Sequence, residues 1–230
     1  TYTLGLNVYT TLVSSEQAAA YEAVRSQVLS YDRRYGYRGP EAFIELPADP
    51  EQREQRIEDA IVEAIDSPNL LPAVVVEASP TKVRALLQGG EAIELRGEGL
   101  RFAARSLDQR AQPSRRIVPG ALVRVSRHAK GYWEIVQLPQ VEAAFVAADA
   151  RDGSVRALVG GFDFNRNKFN HVTQAWRQPG SSFKPFVYSA ALERGFMPST
   201  LINDAPFAVD PAETGGQAWE PKNYDGKFDG

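Results

Sequence analysis

Between Pro72 and Leu138 the chain breaks into short aliphatic runs separated by glycine turns, and this pattern restricts the fold more than any other feature. Residues 73–77 form one run. Residues 83–87 and 92–95 flank Gly89-Gly90, a hairpin signal, and residues 121–126 and 132–138 flank a turn at Lys130-Gly131. Several short strands at this spacing predict a small barrel or sandwich, and an OB-type barrel fits the length. The stretch 101–116 is rich in arginine and reads as a loop between two strands.

The texture on either side is different. Residues 8–13 read as a short strand. Ser14, with Gln17 three positions on, has the form of a capping box. Residues 18–29 then favour a helix, with Ala20, Val24 and Val28 four apart on one face, and the helix is expected to end in the turn-rich stretch 31–40. Asp49-Pro50 predicts a second helix, with Asp49 as N-cap and Pro50 in the first helical position. Its apolar stripe is Ile57, Ala60, Ile61, Ala64 and Ile65, a pattern that packs against a core. After Pro139 the spacing predicts a strand over 141–148, a tight turn at Asp152-Gly153 and a returning strand over 154–159, which Gly160-Gly161 ends. A polar loop over 163–170 follows. A helix is expected to open at Gly180 and to stop at Gly195.

The composition removes several classes of function. There are no cysteines, so disulfide and thiolate chemistry is excluded. His128 and His171 lie far apart without ligand spacing, and neither a metal site nor a cofactor is expected. No Gly-x-Ser-x-Gly elbow supports a serine triad. Net charge is −3, and residues 70–140 hold eleven basic against six acidic side chains. With only Phe102, Tyr132 and Trp133 as aromatics there, that stretch makes a thin stacking platform, and no nucleic-acid partner is expected. No apolar run approaches the roughly 18 residues needed to span a bilayer. Thr1 begins inside a strand-like stretch and Phe228-Asp229-Gly230 closes no element, which reads as a piece of a longer protein.

The chemistry concentrates in Gly180-Ser181-Ser182-Phe183-Lys184-Pro185. Residues at i and i+3 of a helix share a face, so Lys184 can reach the Ser181 hydroxyl. A serine hydroxyl is a poor nucleophile at neutral pH and needs a neighbouring base. A lysine desolvated in a cleft can take its proton, and the N-terminal end of a helix favours negative charge developing nearby. Four letters alone are a weak signal. The preceding glycine, the proline in the first turn and the upstream hairpin strengthen it, since that is the layout of serine-lysine acyl enzymes.

The stretch Arg177-Gln178-Pro179-Gly180-Ser181-Ser182-Phe183-Lys184-Pro185-Phe186 resembles the active-site signature of the class A penicillin-binding proteins. The flanks are similar too: Gly160-Gly161-Phe162-Asp163-Phe164, Phe169-Asn170, Thr173-Gln174-Ala175, and Trp219-Glu220-Pro221-Lys222-Asn223-Tyr224, which looks like that family's Pro-x-Asn segment. Residues 7–11 and 31–39 resemble the linker after the family's glycosyltransferase domain, and an OB-like insert ahead of the transpeptidase is similar to the 1A type of Gram-negative bacteria. The resemblance implies an α+β architecture. Residues 1–70 would be linker helices and the start of the transpeptidase region, 71–138 the OB-like barrel, and 139–230 the N-terminal part of a transpeptidase domain of serine β-lactamase-like fold.

The resemblance also implies a role. Ser181 would be the nucleophile and Lys184 its general base in a D,D-transpeptidase that crosslinks peptidoglycan stem peptides ending in D-Ala-D-Ala and is trapped by β-lactam antibiotics. Glycan polymerisation would belong to a domain outside this chain. The protein would sit at the periplasmic face of the bacterial inner membrane, its anchor also outside the chain. A spacer or protein-contact role is expected for the OB-like domain, with an outer-membrane or periplasmic regulator as the candidate partner. The family's Ser-x-Asn and Lys-Thr-Gly motifs do not follow Lys184, so the chain by itself is expected to be inactive. A β-lactamase or penicillin sensor shares the serine-lysine motif but not the upstream linker and barrel. A purely binding module would use the OB-like domain alone.

Overall fold

The computed structural model describes residues 5–230, and the strand-like opening at Thr1 lies outside the described residues. The chain divides into two compact units, one ending at Trp176 and one comprising Arg177–Gly230.

In the first unit, helix α1 (Ser14–Arg33) buries Ala20, Val24 and Val28, the three residues its spacing selects. It runs on through Asp32 into the segment expected to be turn-rich, because Asp32 is buried and fully bonded there. Residues 8–13 are not a strand; only Val13 N–H (2.9 Å to Arg156 O) and the Thr11 hydroxyl tie this segment to its neighbour. Nor is there a capping box. Val13 is the N-cap, without a side-chain cap, and Gln17 is engaged elsewhere.

Strand β1 (Ala42–Phe43) and helix α2 (Pro50–Glu63) follow. The Asp49 carboxylate accepts the Gln52 N–H at 2.9 Å, the N-cap arrangement expected. Ile57, Ala60 and Ile61 are buried against Val74 and Leu122, but α2 stops at Glu63, which leaves Ile65 past the helix and 47% exposed.

Five more strands complete this sheet: β2 (Leu71–Ala78), β3 (Lys82–Leu86), β4 (Ala92–Arg96), β5 (Ala121–Arg127) and β6 (Trp133–Val136). All pairings are antiparallel. The order is β1-β5-β2-β3-β4, and β6 shares with β1 the other edge of β5. Inward residues alternate along each strand (Ala73 and Val75, Val83 and Ala85, Ile93 and Leu95, Ala121, Val123 and Val125) and meet in one core. Each such side chain contributes roughly 1.5–3 kcal/mol on burial for the larger aliphatics.

The arginine-rich stretch is a loop only in part, from residue 108 onward. Gly97–Leu107 is a 3₁₀ helix that buries Leu100, Ala103 and Leu107 in the same core while its arginines point outward. A 3₁₀ helix repeats every three residues, so Leu100, Ala103 and Ser106 form one inward face. Gly99 lies so close to the Trp133 carbonyl that no Cβ fits.

A second sheet is the hairpin of β7 (Phe145–Ala148) and β8 (Val155–Val159). The first strand is shorter than the spacing predicts, since residues 141–144 are irregular. The turn closes through Gly153 at φ 74°, Asp149 N–H to Ser154 O and Gly153 N–H to Asp149 O. In the second unit, helices α3 (Lys184–Glu193) and α4 (Pro211–Thr214) bury no residue.

Gly120 has φ +88° and its Cβ would run into the Ile44 carbonyl, whereas Gly131 has the same φ with open space around it. Gly120→Ala is therefore expected to cost about 3 kcal/mol or more, and Gly131→Ala about 1 kcal/mol, as read from urea-unfolding midpoints. At the β7–β8 turn, the side chain and backbone N–H of Arg151 hold the Asp149 carboxyl down to about 2 from an ordinary 3.8. A carboxylate with a lowered pKa stabilises the fold above its unfolded value and loses that contribution as pH falls through the folded one. Thermal unfolding of the wild type should thus weaken between pH 3.8 and about 2 more steeply than that of Asp149→Asn.

Candidate active site

Ser181 does not open an α-helix directly. Gly180–Phe183 is a 3₁₀ turn, with Gly180 at φ 54°, and α3 continues from Lys184. The Lys184 N–H donates to the Ser181 carbonyl, an i+3 bond. In 3₁₀ geometry positions i and i+3 lie on the same side of the turn. The i, i+3 spacing falls across a 3₁₀ turn rather than inside the α-helix expected. No side-chain hydrogen bond joins Ser181 and Lys184 among the described residues, and both are exposed.

Pro185 sits in the first turn of α3, where a missing N–H costs nothing. The helix ends as expected at Gly195. The Phe196 N–H reaches the Ala191 carbonyl and the Gly195 N–H the Leu192 carbonyl, a Schellman motif with Gly195 at φ 86°. Between these ends α3 is apolar on every side: Phe186, Val187, Tyr188 and Leu192 are each more than half exposed. A helix that is apolar all round belongs inside a larger core.

Beyond α3, the Asn223 amide donates to both oxygens of Asp204 (2.9 and 2.8 Å) and to the Lys227 carbonyl. With the Asp229 N–H, Asn223 holds the Asp204 carboxyl below its ordinary range. Asn223 is the asparagine of the Pro-x-Asn segment, and here it closes the loop 204–229 on itself. Asp204 is missed by sequence reasoning, because a partner 19 residues away leaves no periodic signal.

The other flanking segments lie in the first unit and are mainly structural. His171 makes two contacts to the Gly160 carbonyl, through its backbone N–H and through ring Nδ1, each at 2.8 Å. Gly160 packs against Asn170 so tightly that a Cβ would stand 2.7 Å from Asn170 Oδ1. The Asn170 N–H donates to the Gln174 side chain and the Gln174 N–H to the Asn170 carbonyl, so Phe169-Asn170 and Thr173-Gln174 form one knot after β8. Asp163, read as part of a polar loop, is buried at 3% exposure, where it pairs with Arg25 and accepts the Ser67 hydroxyl at 2.6 Å.

Among the described residues no cluster of His, Asp and Glu could hold a metal ion, and no helix is long and apolar enough to cross a membrane. The chemistry on offer is that of a serine hydroxyl and an amine on one face of a turn.

Two family models match successive parts of this chain from residue 37 onward. The penicillin-binding protein OB-like domain covers residues 37–141, and the penicillin-binding protein transpeptidase domain covers residues 143–229. Penicillin-binding protein 1A of Neisseria lactamica is 45% identical over 230 residues, all of this chain and 29% of that relative. Penicillin-binding protein 1A of Escherichia coli K12 is 37% identical over 235 residues, again all of this chain and 27% of the relative. The crystal structure of penicillin-binding protein 1A from Haemophilus influenzae matches with a TM-score of 0.73 at 32% identity, over 96% of this chain and 32% of that one. The chain thus spans less than a third of the length of each of these relatives. Its α+β architecture, an OB-like domain joined to the N-terminal part of a transpeptidase domain, is shared with them along the whole chain, and it belongs to the class A penicillin-binding proteins of the 1A type.

Proposed function

We propose that this chain is the part of a peptidoglycan-crosslinking enzyme that supplies the acylated serine. The observation that supports the reading is the 3₁₀ turn at Ser181, whose carbonyl accepts the Lys184 N–H as α3 begins, within the segment matched by the transpeptidase model. Lys184 removes the hydroxyl proton as Ser181 Oγ attacks the carbonyl of the D-Ala-D-Ala peptide bond of a stem peptide. The tetrahedral intermediate collapses, its C–N bond breaks and D-Ala leaves as a protonated amine. The acyl group on Ser181 then passes to an amine of a neighbouring stem, which regenerates the serine. A β-lactam ring presents the same carbonyl but keeps its leaving group tethered, so the acyl-enzyme persists.

Several parts of this proposal lie outside the 230 residues. The exposed apolar surface of α3 fits an element that packs inside a larger domain, and the relatives are more than three times as long. Glycan polymerisation and the membrane anchor, which would place the protein at the periplasmic face of the inner membrane, are assigned to those other segments. Residues 1–70 would serve as linker and start of the transpeptidase region, 71–138 as the OB-like domain, and 139–230 as the part of the transpeptidase domain that holds Ser181. A periplasmic or outer-membrane regulator is the proposed partner of the OB-like domain.

The test is labelling with a fluorescent penicillin. The isolated chain should stay unlabelled and the full-length protein should be labelled at Ser181. In the full-length protein, Ser181→Ala should abolish labelling and Lys184→Ala should slow acylation by about 10²–10⁴-fold. Stoichiometric labelling of the isolated chain, or labelling of Ser181→Ala, would overturn the reading.

A further inference from the structure

Helix α1 makes polar contacts at three levels along its length, part-buried at the first and buried at the other two, and each level holds a different part of the first unit. At its first turn the Gln17 amide acts as a strand neighbour for β8: its Nε2 donates to the Leu158 carbonyl at 2.9 Å while the Leu158 N–H donates to its Oε1 at 2.8 Å. Glu16 pairs with Arg156 beside it.

In the middle of the helix stands Arg25, 5% exposed. Its guanidinium donates to the Phe162 carbonyl at 3.1 Å, to the Pro68 carbonyl, to Ser67 and to Asp163, and lies 4.2 Å from the centre of the Phe162 ring. Residues 67 and 68 enter β2 of the OB-like sheet, and residues 162 and 163 follow β8. At the end of the helix stands Asp32, 3% exposed. It accepts Arg38 on both oxygens at 3.0 and 2.9 Å, the Gln137 amide at 2.8 Å and the Gln140 N–H at 3.0 Å. Residues 137–140 are the exit from β6.

Arg25 and Asp32 are seven residues apart, two turns, and so lie on one face of α1. A buried charge that loses its partners is strongly destabilising, so neither node can open by halves. The entry to the OB-like sheet, its exit and the β7–β8 hairpin are thereby held to a single rigid element.

We infer that α1 is a coupling rod between the OB-like domain and the transpeptidase hairpin: Asp32 grips the domain's exit, Arg25 grips its entry together with the end of β8, and loosening one node loosens the other. Arg25 and Asp32 are positioning residues in this scheme. A protein bound to the OB-like domain would act on the hairpin through α1 without touching it. The inference stands apart from the role of Ser181, since neither node includes the serine turn.

Hydrogen exchange on the 230-residue chain tests it. Asp32 touches neither β7 nor β8. If the rod couples them, Asp32→Ala speeds exchange of the β8 amides of Ala157 and Val159 at least about tenfold, while amides of the β3–β4 pair keep wild-type protection. If Asp32→Ala also strips protection from β3–β4, the same comparison is made with Gln137→Met, which deletes one donor to Asp32 and leaves both buried charges paired. Faster exchange at residues 137–140 with β8 within about twofold of wild type, in whichever variant stays folded, would sink the proposal.

Discussion

The arrangement of the first unit depends on matching a buried guanidinium. Arg25 is carried on a helix whose neighbouring residues on that face, Val24 and Val28, are apolar, so its charge must be satisfied without water. One carboxylate, two backbone carbonyls and a serine hydroxyl do this, and they come from two distant stretches of chain. Desolvating an ion costs several kcal/mol, and the arrangement is tolerable because both terminal nitrogens of the guanidinium find acceptors. Once those partners are gathered, the places where the OB-like sheet begins and where β8 ends are set.

The same device recurs inside the OB-like sheet. Arg124, in the middle of β5, is 1% exposed. It meets Glu41 through two hydrogen bonds of 2.9 Å and reaches the carbonyls of Ile65 and Leu70. All five of the first residues of β5 are buried, because one face belongs to the OB core and the other is covered by α2 and by this ion pair. A strand buried on both faces loses the apolar-polar alternation that marks a half-exposed one. The arginine in such a strand reads from sequence as a solvent-facing residue, yet it joins β1, the end of α2 and the start of β2.

The two units differ in how far they satisfy themselves. The first has cores under both sheets and buried charges with partners. The second has local order, in the Schellman end of α3 and the Asp204–Asn223 knot, but Phe186, Tyr188 and Leu192 remain in solvent. The serine turn therefore has a defined local geometry but no enclosing core in this unit. A nucleophile and its base need a desolvated, preorganised surround, and the face that would receive one is open.

What local chemistry decides was legible in the sequence. Alternation placed the OB strands, the Asp49-Pro50 pair began α2, and Gly195 ended α3. What depends on a partner far along the chain was not. Gln17 looked like a cap but is bonded to β8, 141 residues away. Asp163 looked like loop and is buried under Arg25, 138 residues away. The 101–116 stretch looked like a basic loop, yet its first part belongs to a 3₁₀ helix over 97–107 that buries Leu100, Ala103 and Leu107 in a core that only the assembled strands create. The physical reason is the same in each case. A side chain's hydrogen-bond capacity and its burial are fixed by what surrounds it in space, and neighbours in sequence report that only where the element is local.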